Sequence, residues 1–132
     1  MKELIIIFFL ISNVSFAQKK DYKNFDKAVK YNTNGNVEKS IKYANKALKN
    51  TPDWKDPKLL LASIYANKKQ IGLAANYLLR VYNEENPDDK KGIEQVAKLY
   101  YSNGFYNEAL FYTKKAIALD TKKTSSTSNL YR

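Results

Sequence analysis

The chain has 132 residues, enough for one domain, and carries a formal net charge of +10. It contains no cysteine, which excludes disulfides and thiol catalysis. It also contains no histidine, which removes the usual general base near neutral pH and the commonest zinc ligand. These absences argue against an enzyme, and we predict no catalytic, cofactor-binding or metal site. The positive charge either keeps the protein soluble or attracts an anionic partner.

Residues 1–17 open with a charged segment, continue as an apolar run over 4–16 and close with the small residue Ala17. The run is shorter than the ~20 apolar residues that a membrane-spanning helix needs. This order is typical of a secretory signal peptide, with cleavage between Ala17 and Gln18. We therefore expect an exported protein that is periplasmic, surface-associated or secreted. An uncleaved membrane anchor is the alternative.

Apolar residues at helical spacing predict six helices along the rest of the chain. The predicted ranges are 20–32, 37–50, 57–68, 71–83, 90–102 and 106–119. Gly35 lies in a turn and is able to take a positive φ, Gly104 lies in the segment that joins the last two helices, and Pro52 ends the second helix. The acidic cluster at 84–89 is explained by helix capping. Residues 124–132 are polar and rich in serine and threonine, so we predict a disordered tail there.

Small residues and tyrosines recur along these helices at a fixed spacing. Ala28, Ala62 and Ala97 lie 34 and 35 residues apart, and a tyrosine follows each of them three positions later. The second helix of each pair carries small residues or valine with the same two spacings, at Ser40, Ala74, Ala109 and at Ala47, Val81, Ala116. Two helices approach closely only where side chains are small, so we expect these positions at the contacts between helices. Self-similarity at this period is typical of a helical solenoid.

On these residues the chain resembles tetratricopeptide-repeat (TPR) proteins, with repeats at about 21–54, 55–88 and 90–123. The resemblance implies an all-α fold, a right-handed solenoid of three helix-turn-helix repeats that fills residues 18–123. It also implies a non-enzymatic scaffold for protein–protein interactions, since such repeats are generic binding surfaces. The chain departs from the family pattern where Lys69 replaces a turn glycine and Thr121 replaces the closing proline. The family's early tryptophan is also replaced, by Asn24, Lys58 and Ile93.

Taken as a whole, the signal peptide, the repeats and the polar tail resemble the N-terminal part of bacterial OmpA-family envelope proteins, in which such repeats precede a WD40-like propeller. This resemblance implies a fragment or a shortened relative that acts as an adaptor in the periplasm or at the outer membrane. The expected partners are outer-membrane or peptidoglycan-associated proteins, and nucleic acid is not expected. One alternative is a basic module that binds nucleic acid or an acidic envelope polymer. Another is a homo-oligomer formed through the uncapped third repeat, where Leu110, Ile117 and Leu119 leave a stacking surface open.

A protein or peptide ligand would lie in the concave groove that the first helix of each repeat lines in this family. From helical spacing, the predicted lining residues are Tyr22, Phe25, Val29, Asn32, Leu59, Ser63, Asn67, Lys91, Glu94, Lys98 and Tyr101. Alternatively, the early aromatic residues close the N-terminal end of the solenoid. Trp54 either packs into a joint between repeats or is an exposed anchor for the partner.

Overall fold

The computed structural model describes the backbone of residues 2–128 and the side chains of residues 18–123. All secondary structure in this part of the chain is α-helical, as the sequence predicted. The helices are α1 Lys2–Thr33, α2 Val37–Asn50, α3 Lys55–Asn67, α4 Ile71–Tyr82, α5 Lys90–Ser102 and α6 Tyr106–Ser128. The chain divides into two compact units between Ile64 and Tyr65.

The helix ends differ from the predictions by more than one residue at three places. First, α1 begins at Lys2 rather than near residue 20, and the signal peptide predicted at 1–17 falls where side chains lie outside the described residues. Second, α3 begins before Pro57, because a proline is tolerated in the first turn, where backbone N–H groups have no helical partner. Third, α6 continues to Ser128 in place of the tail predicted from residue 124, and residues 129–132 lie outside the described part. Extending an existing helix costs little, and no glycine or proline follows Leu119 to stop it.

The turns that join α1 to α2, α3 to α4 and α5 to α6 share one geometry. In each turn one residue has a positive φ: Gly35 at 76°, Lys69 at 61° and Gly104 at 82°. The next N–H then donates to the carbonyl five residues earlier, over distances of 2.8, 2.9 and 3.0 Å. The accepting carbonyls belong to Tyr31, Tyr65 and Tyr100. This pattern is the Schellman motif, which ends a helix and satisfies its last carbonyl groups.

In the first unit, α1 packs antiparallel to α2 through the small residues that the sequence singled out. Ala28, Ser40, Ala44 and Ala47 are all fully buried. The Ser40 hydroxyl donates a hydrogen bond to the Ala28 carbonyl oxygen over 2.8 Å. The two helices can approach this closely because both carry only small side chains at this level. The predicted close approach of these two helices is therefore confirmed.

A buried carboxylate holds the other end of the same helix pair. Asp21 on α1 is only 1% exposed. Its two oxygens accept hydrogen bonds from Asn50 Nδ2 at 3.2 Å and from Thr51 Oγ1 at 2.8 Å. Because a buried carboxylate needs such partners, Asp21 ties the start of the described part of α1 to the end of α2.

In the second unit, α5 contacts both α4 and α6. Ala97 on α5 and Ala109 and Ala116 on α6 are buried, again as their spacing predicted. Towards α4, the backbone of Gly92 lies so close that an added Cβ would collide with Asn83 Oδ1 and Tyr82 Cβ. Glycine is therefore needed at this point for α5 to pack on the end of α4.

Candidate interaction surfaces

Almost all the residues that were predicted to line a groove are exposed, and Phe25 is half-buried. The first unit contains Tyr22, Phe25, Val29, Asn32, Leu59 and Ser63. The second unit contains Asn67, Lys91, Glu94, Lys98 and Tyr101. The groove itself stays a prediction, and the surroundings of these residues differ within each unit.

In the first unit, two of these residues pack on the single tryptophan. The rings of Tyr22 and Phe25 lie 4.7 and 5.0 Å from the Trp54 ring, measured between centroids. Trp54 is half-buried, and its Nε1 donates to Asp56 Oδ2 at 3.3 Å. Trp54 is therefore a packing residue rather than a freely exposed anchor. Whether the early aromatic residues line a groove or close the N-terminal end of the solenoid stays a prediction.

In the second unit, the predicted residues of α5 lie on one face of the helix, but their long side chains reach different neighbours. The Lys91 ammonium lies 5.7 Å from the centre of the Tyr82 ring, on the side of α4. Lys98 and Tyr101 lie on the side of α6, where a cleft of about 650 Å³ opens between the two helices. The cleft is lined by Ala97, Lys98, Tyr101, Ser102, Tyr106, Ala109, Leu110 and Thr113.

A second cavity of about 310 Å³ continues this cleft towards the other end of the helix pair. The two cavities share Ala97, Lys98 and Thr113, so they form one depression, which we call the α5/α6 groove. Its end near the turn is apolar and aromatic, with the rings of Tyr101 and Tyr106 in edge contact at 5.6 Å. The other end contains Ile117 and the charged residues Lys90, Glu94 and Asp120.

An exposed ion-pair cluster closes the charged end of the α5/α6 groove. Lys90 Nζ lies 2.6 Å from Asp120 Oδ2 and 3.4 Å from Glu94 Oε1. The hydrogen bond to Asp120 raises the pKa of Lys90, and Glu94 adds to this rise. The pairs are solvent-exposed, so their role is to give the groove a charged rim rather than to stabilise the fold.

The apolar side chains on α6 are exposed where their counterparts on α4 are covered. Leu110 is 53% exposed and Ile117 is 58% exposed. The positions 35 residues earlier are Ala75, which is only 2% exposed, and Tyr82, which is half-buried and contacts α5. The open surface that the sequence predicted at Leu110 and Ile117 is therefore present, while Leu119 is half-buried.

Three stacked pairs of tyrosines were missed by the sequence reasoning. The rings of Tyr31 and Tyr43, Tyr65 and Tyr77, and Tyr100 and Tyr112 stack within 14° of parallel, with centroids 5.4 to 5.7 Å apart. The second member of each pair follows the spacing of 34 and 35 residues, a signal that was available in the sequence. Burial raises the pKa of Tyr77 and of Tyr100, and the stacked partner ring adds to both rises.

Among the residues described, no three acidic side chains are grouped so that they could hold a metal ion. Within the same residues, no helix is both long and apolar enough to cross a membrane. No protein-family model and no curated protein matches the chain. Function has to be inferred from the surfaces described above.

Proposed function

We propose that the chain is an exported, non-enzymatic scaffold of the tetratricopeptide type, which binds a protein partner in the bacterial cell envelope. On this proposal the three helix pairs form a solenoid, and the chain corresponds to the N-terminal part of an OmpA-family protein. The scaffold, the partner site and export are independent of one another, so a different observation or experiment bears on each.

The scaffold is supported by features that recur with the same spacings of 34 and 35 residues. The Schellman turns, the buried small residues and the stacked tyrosines all follow these spacings. A chance succession of helical hairpins would not be expected to place the same side-chain pair at the same level in each hairpin. A common ancestral unit of this length explains all three features.

The α5/α6 groove is the observation that carries the partner site. It is apolar along its floor and charged at one rim, and its two cavities have volumes of about 650 and 310 Å³. An amphipathic helix would bury its apolar face against Leu110 and Ile117 and would place polar residues at the rim near Lys90. The bound helix would therefore cover the face of α6 that corresponds to the face of α4 covered by α5.

A pair of matched variants tests the partner site. Leu110 in the groove and Leu73 on α4 are 53% and 49% exposed, so Leu110→Lys and Leu73→Lys make the same change at equally accessible positions. A photo-crosslinking residue at position 110 of the full chain should capture a discrete partner in cells, and one at position 73 should not. Leu110→Lys should weaken capture of that partner at least tenfold, with Leu73→Lys unchanged. Equal crosslinking at the two positions would exclude the groove as the site.

The intact mass of the protein recovered from cell fractions tests export. A species that begins at Gln18 in the envelope fraction, together with outer-membrane or peptidoglycan-associated proteins, would support the proposal. A species that retains Met1 and is found in the cytoplasm would exclude export and with it the envelope role. It would leave the scaffold and the α5/α6 groove untouched.

Self-association is a second candidate, because the exposed apolar residues of α6 could equally meet a second copy. Phe111 is also exposed next to Leu110, which enlarges the apolar surface. Sedimentation of the full chain over a wide concentration range should then show a dimer that Leu110→Lys converts to a monomer. A monomer at all concentrations would exclude this candidate and favour a different protein as the occupant.

A further inference from the structure

Lysines form two regular stripes in the first unit. On α1 they stand at Lys20, Lys23, Lys27 and Lys30, and on α2 at Lys39, Lys42, Lys46 and Lys49. Steps of three, four and three residues keep each stripe on one face of its helix, over a length of ~15 Å. All eight side chains are exposed.

The two stripes meet at the first tyrosine stack. The ammonium groups of Lys27 on α1 and Lys46 on α2 lie 5.2 and 5.1 Å from the centre of the same ring, that of Tyr43. Lys39 lies 5.2 Å from the centre of the Tyr31 ring. Since the stripes converge from both helices, they form one surface, which we call the lysine face. Eight of the 23 lysines and arginines of the chain therefore lie on this one surface.

Few negative charges offset the lysine face. Residues 18–64 contain eleven lysines and five acidic residues, and one of the five, Asp21, is buried in hydrogen bonds. Of the exposed acidic residues, Asp26 on α1 precedes Lys27 and Glu38 on α2 precedes Lys39. The other helix pairs do not share this surface, because the positions that correspond to Lys27 are Leu61 and Val96, which are fully buried.

The chemistry of the lysine face favours one kind of anion. Its cations are all lysines, which act as point charges and do not read the shape of a base or a carboxylate as arginine does. Proteins that hold single-stranded nucleic acid usually stack its bases on open aromatic rings. Here the rings of Tyr31 and Tyr43 stack on each other and are flanked by ammonium groups. A surface of this kind suits a dense layer of anionic groups without sequence or base recognition.

We propose that the lysine face binds the anionic phospholipid headgroups of a membrane surface. Clusters of four to eight lysines on a helix are attracted to such surfaces, with about 1 kcal/mol for each lysine near the lipid. The stripe on α1 also starts four residues after the apolar run of the sequence, so a headgroup layer suits the chain whether or not that run is removed. The lysine face would hold α1 and α2 flat on the bilayer.

Vesicle binding by the full chain tests the proposal. The probes are vesicles of phosphatidylcholine alone and vesicles in which about one third of the lipid is phosphatidylglycerol. The test variant is Lys27→Gln/Lys39→Gln/Lys46→Gln, and the control variant, with the same net charge, is Lys68→Gln/Lys114→Gln/Lys115→Gln in the second unit. All variants keep the apolar run over 4–16, so only differences between them are informative.

The test variant should lose about a hundredfold in affinity for the anionic vesicles, since three lysines are removed from the contact. The control variant should stay within about threefold of the unchanged chain, and raising the salt to about 0.5 M should abolish the difference. Lys23→Gln/Lys30→Gln/Lys42→Gln removes lysines that touch no tyrosine ring, so a similar loss there shows that charge and not damage to the stack is responsible. Equal losses in test and control variants would overturn the proposal. Tighter binding to a single-stranded DNA oligonucleotide than to anionic vesicles would also overturn it.

Discussion

The helix pairs α1/α2 and α5/α6 share the same spacing of small residues and tyrosines, and yet they present different side chains on their surfaces. At the base of the first pair, buried Asp21 accepts a hydrogen bond from Thr51. The residues 69 positions later are Lys90 and Asp120, which form an exposed ion pair. At the other end, the first tyrosine stack is flanked by lysines, whereas the third has Phe105 and Phe111 at its edges. The spacing of small residues thus sets how the helices meet, and the side chains around them decide what the surface can bind.

The packing of α5 on the end of α4 offers the largest expected loss of stability in the second unit. Gly92→Ala would place a methyl group against Asn83 Oδ1 and Tyr82 Cβ, and the latter is fixed to the backbone of α4. We expect the free energy of unfolding to fall by about 3 kcal/mol, at the upper end of the cost of overpacking. Urea denaturation followed by circular dichroism measures this change.

Gly72→Ala is the matched control for Gly92→Ala. A Cβ on Gly72 meets nothing within 4 Å, so replacing a helical glycine there should raise stability by up to about 1 kcal/mol. If both substitutions were neutral, α5 would not pack against α4 as closely as described.

The next largest loss of stability is expected from changes at the base of the two helix pairs. There the buried contact of α1/α2 and the exposed contact of α5/α6 can be compared directly. Asp21→Ala removes a buried acceptor and leaves the donors of Asn50 and Thr51 without their partner, which should cost about 2 kcal/mol. Asp120→Asn breaks the corresponding exposed contact of Lys90 and should change stability far less. Thermal unfolding of the two variants compares their losses of stability. A larger loss for Asp120→Asn than for Asp21→Ala would show that the exposed ion pair, and not the buried carboxylate, holds its helix pair together.

Much of the fold could be predicted from the sequence, because the spacing of Ala28, Ala62 and Ala97 directly reflects where helices touch. The polar positions were harder to predict, since the burial of Asp21 depends on Asn50 and Thr51, which are distant in sequence. Helical spacing placed Lys91 and Lys98 in one groove. The groove stays a prediction, and helical spacing could not show that the Lys91 ammonium reaches Tyr82 while Lys98 lines the α5/α6 groove.

The lysine stripes show the same limit of sequence reasoning. Each stripe can be read from the spacing of its lysines, but their convergence cannot, because it depends on how α1 is rotated against α2. Only the shared contact of Lys27 and Lys46 with Tyr43 shows that the two stripes form one surface.

A smaller effect is expected at the turns, where the α3–α4 turn has Lys69 in place of the glycine of the other two. A side chain at positive φ is strained, so Lys69→Gly should raise the free energy of unfolding by about 0.5 to 1 kcal/mol. The reciprocal change, Gly104→Lys, should lower it by about as much at the turn of the α5/α6 pair. Chemical denaturation of both variants measures the two shifts. A loss of stability in Lys69→Gly would mean that the contact of its ammonium with Asn103 Oδ1 outweighs the strain.

The smallest effect is an alkaline loss of stability that arises in the second unit. The pKa values of Tyr77 and Tyr100 are raised by burial, and the pKa of Lys90 is raised by its hydrogen bond to Asp120. A group with a higher pKa in the folded state holds its proton more tightly there, so its contribution is fully present below the unfolded pKa of 10.0 for tyrosine or 10.5 for lysine. Stability should therefore be flat with respect to these groups up to about pH 9.5 and should fall as the pH rises further.

Urea denaturation between pH 8 and about pH 11, with tyrosinate absorbance as a second signal, measures this fall. In Tyr77→Phe/Tyr100→Phe the two ionisable hydroxyls are gone while the rings remain to stack, so the slope above about pH 10 should be shallower than in the unchanged chain. Because Lys90 keeps its partner in that variant, some of the fall should persist, and adding Asp120→Asn should reduce it again. If the slope were the same in the unchanged chain and in both variants, groups other than these would cause the alkaline loss of stability. The tyrosine stacks would then hold the helix pairs together in the same way whether or not their hydroxyls are ionised.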